Sequence, residues 1–171
     1  MPDAPGLELI RGEIERDHPG AVTATSFDRG QAALVVDPAH VLPVLAWLRD
    51  TPGQRYTFLA SLHVADYLPA EPRFGVHYEL LNRERCERIR VKAMLADTSP
   101  ELPSIDSCAE LFPTANFQER EAFDFFGIEF RGHPDLTRIL LPEDYVGWPQ
   151  RRDFPIGGEP VTFTYNEGDY D

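Results

Sequence analysis

The run from Arg73 to Leu95 restricts the possible folds more than any other part of the chain. Phe74, Val76, Tyr78 and Leu80 alternate with Arg73, Gly75, His77 and Glu79. After a polar break, Ile89, Val91, Ala93 and Leu95 alternate with Arg88, Arg90, Lys92 and Met94. A period of two places each set on its own face of a strand. Asn82 to Glu87 then turns the chain, and the pattern predicts a hairpin of two half-exposed strands with one apolar face in need of a cover.

The cover is sought upstream. Leu7, Ile10 and Ile14 recur at helical spacing until Pro19-Gly20 breaks the pattern, which predicts an amphipathic helix. Ala21 to Phe27 and Gln31 to Val36 flank Asp28-Arg29-Gly30 and read as a second hairpin with glycine at its turn. Asp37-Pro38 has the form of an N-cap followed by proline at the first helical position. The helix it opens runs to about Arg49 and buries Leu42, Leu45 and Leu48, with Pro43 removing one backbone donor near its start. Tyr56 to Tyr67 is mostly apolar and reads as a strand buried on both faces, although periodicity alone leaves a helix open there. Helix, two strands, helix and about three strands give an α+β fold: two layers, a mixed β-sheet covered by helices on one face, plus an irregular C-terminal arm.

The chain's 171 residues and 42% hydrophobic content suit one domain with an appendage. Residues 1–141 are read as that domain and residues 142–171 as the arm. Pro142, Gly147, Pro149, Pro155, Gly157, Gly158 and Pro160 interrupt any regular element there. Tyr145, Trp148, Phe154, Phe163, Tyr165 and Tyr170 favour docking on another surface over disorder. Val161, Phe163 and Tyr165 alternate as an added edge strand would.

Charge and cysteine content exclude several functions. Sixteen Lys and Arg against 29 Asp and Glu leave a formal charge of −13, spread along the chain, so nucleic acid and anionic lipid are poor partners. Arg83, Arg85, Arg88, Arg90 and Lys92 form the only basic concentration, interrupted by Glu84 and Glu87, and are read as a solvated strand face. No apolar stretch has the length of a membrane span, and Met1 to Glu15 lacks the order of a signal peptide. Cys86 and Cys108 form no C-x-x-C and fall short of an iron–sulfur or structural zinc ligand set. No G-x-G-x-x-G, P-loop or G-x-S-x-G is present.

Asn116-Phe117-Gln118-Glu119 reads as a capping box opening a short helix that stops at Gly127, where glycine suits a left-handed C-terminal position. Arg120 and Asp124, four apart, are placed to pair. Phe117, Phe123 and Phe126 supply its apolar face. Glu119 and Glu121, two apart, point to different sides and form no catalytic dyad. His133-Pro134-Asp135 could be taken for a ligand set, but a turn that fixes its histidine by hydrogen bonding accounts for it as well.

Glu119-Arg120-Glu121, Asp124, Phe125-Phe126-Gly127-Ile128, Phe130, His133-Pro134-Asp135-Leu136 and Arg138-Ile139-Leu140-Leu141-Pro142 stand in order along the chain. Gly147, Pro149 and Arg151-Arg152-Asp153-Phe154-Pro155 follow. The series resembles the signature of the 30 kDa-type subunit family of respiratory NADH:quinone oxidoreductase (complex I, NDH-1). Weaker similarity extends upstream through Asp66-Tyr67, Arg73-Phe74, Tyr78-Glu79-Leu80, Arg90-Val91-Lys92 and Pro103-Ser104. Two positions depart from the pattern: Thr137, where a basic residue is usual, and Trp148, where a histidine is usual.

The resemblance implies a structural peripheral-arm subunit with no active site and no cofactor of its own, the FMN and iron–sulfur clusters residing in other chains. Its partners would be the quinone-site subunit (D) and the terminal iron–sulfur subunit (B). The complex it implies passes electrons from NADH to quinone and pumps protons at the cell membrane, this chain lying peripherally on the cytoplasmic side. Glu119, Arg120, Glu121, Asp124, Gly127, His133, Pro134, Arg138, Arg151, Arg152 and Asp153 are the signature residues expected to meet partners. Three rivals remain: the equivalent subunit of a membrane-bound hydrogenase or of another donor:quinone dehydrogenase, a free-standing metal-dependent hydrolase built on Glu121, Asp124 and His133, and a stand-alone small-molecule-binding α+β domain.

Overall fold

A computed structural model describes residues 2–155. Helix α1 (Ala4–Asp17) leads into strands β1 (Val22–Asp28) and β2 (Gln31–Val36), then a 3-10 turn (Pro38–His40) and α2 (Val41–Asp50). Strands β3 (Phe58–Asp66), β4 (Phe74–Asn82), β5 (Glu87–Leu95) and β6 (Ser104–Asp106) follow, then α3 (Ala115–Phe126) and β7 (Glu129–Arg131). The first five strands form one sheet in the order β1-β2-β5-β4-β3, while β6 and β7 make a separate parallel pair. Because β2 runs parallel to β5 and the other neighbours are antiparallel, the sheet is mixed as expected.

The core lies against one face of this sheet. Leu7, Ile10 and Ile14 of α1 and Val44, Leu45 and Leu48 of α2 share a cluster with Phe74, Val76, Tyr78 and Leu80 of β4. Ile89, Val91 and Ala93 of β5 and Ala115 and Ala122 of α3 complete it. The α+β architecture and both hairpins are those read from the sequence.

Three local readings are corrected. The Asp37 side chain does accept the Ala39 N–H, but the turn it caps is 3-10, and the α-helix begins at Val41 with Leu42 only half-buried. Strand β3 is a sheet edge with exposed His63, so it is not buried on both faces. Strand β4, read as half-exposed, is the better-covered one: Arg73, Gly75 and His77 are buried too. Tyr67 supplies the lid. A Cβ on Gly75 would stand 2.7 Å from the Tyr67 ring, so only glycine admits that ring, and the Tyr67 hydroxyl lies 3.1 Å from His77 Nε2. Burial first, then the charges of His63, Lys92 and Arg90, push the His77 pKa down to about 3, so His77 is neutral at ordinary pH.

The described part of the arm, up to Pro155, folds back onto its own domain and bonds to the end of α3 and to Arg73. Val161, Phe163, Tyr165 and Tyr170 lie outside the described residues.

Candidate functional site

Helix α3 and the segment after β7 gather most of the signature residues into three polar clasps. The helix ends as its sequence predicts: Gly127 adopts φ 66° and ψ 40°, and its N–H reaches the Phe123 carbonyl at 2.8 Å. Its start differs. Thr114 is the N-cap, but its hydroxyl donates to the Leu59 carbonyl instead of capping the helix, and Glu119 turns away from the first turn, so no capping box forms.

In the first clasp the buried Asp124 carboxylate accepts the N–H groups of Ile139, Leu140 and Leu141 at 3.1, 2.8 and 2.9 Å. It also pairs with Arg138 at 2.7 Å. Burial, the largest single influence, raises the Asp124 pKa, but these donors together hold it below the ordinary carboxylate value. Arg138 continues to the Asp124, Tyr145 and Gly147 carbonyls and lies over the Trp148 ring at 4.6 Å. Arg120 does not pair with Asp124: it donates to the Thr137 carbonyl and hydroxyl and to the Arg138 carbonyl. Both departures from the family pattern are thereby used internally, Thr137 as an acceptor for Arg120 and Trp148 as a cover for Gly127 and Arg138.

The second clasp centres on Arg73, 2% exposed. Its guanidinium bonds Asp66 at 2.7 and 3.0 Å, Asp97 at 2.7 Å, and Asp153 of the arm at 2.6 and 3.0 Å. Asp66, although burial works to raise it, is held at about 2 by bonds from Arg73, the Arg152 N–H and the Leu68 N–H. Asp97 is held at about 2 by Ser99 and then Arg73. Arg152 adds its own side-chain bond to the Leu68 carbonyl at 2.5 Å. Beside it, Arg151 reaches the Phe126 carbonyl at 2.7 Å and the Gln150 N–H reaches the Phe125 carbonyl at 3.2 Å. These two bonds satisfy helix-end carbonyls that α3 itself cannot.

The third clasp ties α3 to the β6 end. Glu119, fully buried, accepts the Ser107 hydroxyl at 2.5 Å and the Cys108 N–H at 2.7 Å. Burial raises its pKa above the ordinary value. His133 Nδ1 accepts the Asp135 N–H, which leaves the proton on Nε2 to donate to the Asn116 carbonyl at 3.0 Å. Its 3.8 Å approach to Glu119 is therefore no ion pair while the ring is neutral. Pro134 is exposed in the turn this histidine fixes.

Of the eleven signature residues expected to meet partners, Glu119, Asp124 and the His133 ring have side chains that are 0% exposed and engaged within the chain. Glu121 belongs to no clasp. The apolar face of α3 is corrected in part: Phe126 packs against the core as expected, but Phe117 is 63% exposed and Phe123 half-buried, and Ala115 and Ala122 are the buried residues of the helix face. Sequence reasoning missed the Arg73 hub, because an arginine alternating with apolar residues reads as solvent-facing. Its acids at 66, 97 and 153 have no common spacing. Among the described residues no group of three or more His, Cys, Asp or Glu is placed to hold a metal.

Residues 34–160 match the family described as respiratory-chain NADH dehydrogenase, 30 Kd subunit. The chain is 46% identical over 158 residues to an NADH-quinone oxidoreductase subunit of Roseiflexus castenholzii, covering 92% of this chain and 89% of that one. It is 45% identical over 140 residues to the protein of the same name from Herpetosiphon aurantiacus, covering 82% and 80%. Among solved structures it is similar to the trypsin-resistant fragment of Nqo5, with TM-score 0.60 and 28% identity over 76% of this chain and 98% of that one. The fold also occurs in the membrane-bound sulfane sulfur reductase, an archaeal respiratory membrane complex, with TM-score 0.69 at 21% identity over 95% and 90%.

Proposed function

The chain belongs to the family of the respiratory-chain NADH dehydrogenase 30 kDa subunit, and from that premise we propose that it is a cofactor-free structural subunit bracing its neighbours in the peripheral arm. It is a subunit of an NADH-quinone oxidoreductase, and the other subunits of such a complex are its partners. The neighbours proposed are the quinone-site subunit (D) and the terminal iron–sulfur subunit (B). Among the described residues no helix is long and apolar enough to cross a membrane. In this reading the chain is held peripherally on the cytoplasmic side of the cell membrane by those neighbours.

The observation that carries the reading is the use made of the signature. Asp124, Arg138 and Asp153 spend their charge within the chain and tie a strap, residues 137–154, across α3 and onto the Arg73 hub, while buried Glu119 ties α3 to the β6 end. Chemistry on a substrate needs free polar groups converging on an open site; these converge on each other. What they produce is a rigid surface of fixed shape, and electron transfer and quinone access depend on positions held by such supports. The shared name of the relatives favours NADH as donor over the hydrogenase-type rival.

The test is recovery of the tagged full chain from its native membrane. Quinone-site and terminal cluster-bearing subunits should accompany it, with quinone-linked NADH oxidation. The chain on its own should show no flavin or iron–sulfur absorption and should not oxidise NADH. Recovery without respiratory subunits, or a stoichiometric chromophore on the isolated chain, overturns the proposal.

A further inference from the structure

We propose that the pocket between the β3 edge and α3 is a socket for one arginine side chain of a neighbouring subunit, with Glu121 as its counter-ion. The inference rests on the reading of the chain as a member of a larger complex and names the chemistry of one of its contacts. The pocket has a volume of about 220 Å³ and is bordered by Ser61, His63, Gln118, Glu121, Phe125 and Gln150. That volume falls below the roughly 300–1,000 Å³ of small-molecule sites and suits a single long side chain.

Charge identifies the occupant as a cation. Asp66, Asp97 and Asp153 answer to Arg73, Asp124 to Arg138, and Glu119 is buried with its pKa raised. Glu121 is exposed and has no partner among the described residues. Gln118 is already committed at the same edge, where its Oε1 accepts the Leu62 N–H.

Shape favours a guanidinium over an ammonium. Phe117 and Phe125 stand one helical turn to either side of Glu121, Phe117 at 63% exposure and Phe125 half-buried within the pocket. A guanidinium meets a carboxylate through two parallel N–H bonds while its plane lies on an aromatic ring. The chain contains that arrangement at Arg73, which meets Asp66 through two N–H bonds and lies 4.7 Å over the Phe74 ring, and arginine also stacks on Phe58 from Arg83 at 4.1 Å and on Trp148 from Arg138 at 4.6 Å. An exposed ring beside a lone carboxylate also gives the pair an apolar rim that keeps water from it after docking.

The experiment compares Glu121→Gln and Glu121→Lys with the parent in two ways: thermal unfolding of the purified full chain, and recovery of the assembled complex from membranes. The unfolding midpoints should coincide, since Glu121 supports nothing within the chain. Recovery of complex should fall roughly tenfold with glutamine and further with lysine, where like charges meet. Second-site suppressors of Glu121→Lys should change a partner arginine to an acidic residue. Wild-type recovery with Glu121→Lys overturns the socket, as does an equal loss of fold and assembly, or loss of the parent complex on chelation with restoration by Mg²⁺. Failure of the parent chain itself to recover respiratory subunits would instead overturn the reading on which the socket rests.

Discussion

Gly127 lies directly under the indole of Trp148: a Cβ at Gly127 would stand 2.5 Å from Trp148 Cε2. The helix stop and the docking of the strap are thus one contact, since the residue that must be glycine for its positive φ must also be glycine to admit the ring.

Gly127→Ala should therefore destabilise the full chain by about 2–4 kcal/mol, combining a left-handed alanine with overlap against the ring. In a Trp148→Ala background the same change should cost only about 1 kcal/mol. Urea unfolding of the four proteins measures the coupling, and strict additivity would show that the two residues act independently.

Asp124→Ala leaves Arg138 without its counter-ion and three strap N–H groups without their acceptor. A loss of about 3–5 kcal/mol is expected, with new protease cleavage between residues 139 and 155. Asp124→Asn, which keeps an acceptor, should lose less. Cleavage unchanged from the parent would mean the strap is held by other contacts.

Phe123→Ala should be milder than truncation of a fully buried aromatic. The ring is half-buried and meets the edge of Trp148 at a centroid distance of 5.3 Å, so about 1–2 kcal/mol is expected, below the roughly 3–5 kcal/mol typical of core positions. A larger drop in the urea midpoint would assign the ring to the core.

The chain's pH dependence should have two parts. Asp66 and Asp97 titrate at about 2 when folded against an ordinary 3.8. Their contribution is fully present above the ordinary value and is lost as pH falls from about 4 through 2. Asp97→Asn should make the acid limb of the stability curve shallower. Glu119 runs the other way. Its folded pKa is raised by burial, so the native state is favoured while the carboxyl is protonated and weakened as pH rises through that value. Glu119→Gln should gain on the parent as pH increases; parallel curves would mean that the carboxyl titrates normally.

What the sequence disclosed follows from which forces are local. The alternation at 74–80 and 89–95, the spacing of Leu7, Ile10 and Ile14, and Gly127 at the end of α3 depend on neighbours in the chain, and each is found where it was read. His77 and Arg73 were misread because their burial depends on Tyr67 and Asp153, which no periodicity connects to them. Arg120 and Asp124 have the spacing of a helical ion pair, yet each finds several better-placed partners in residues 137–141. A charge-assisted bond to a fixed backbone group outweighs an exposed pair worth a few tenths of a kcal/mol.

The Arg73 hub also bears on the order in which the chain is made. Its third carboxylate, Asp153, lies 80 residues beyond the arginine, and domains synthesised from the N-terminus fold as their contacts emerge. Until the strap leaves the ribosome, Arg73 faces Asp66 and Asp97 alone, the Phe125 and Phe126 carbonyls at the end of α3 lack their partners, and nothing shields Gly127. The nascent domain is thus held incomplete until the strap has left the ribosome. A released chain truncated after residue 146 should be cut by protease at the end of α3, where the full chain resists.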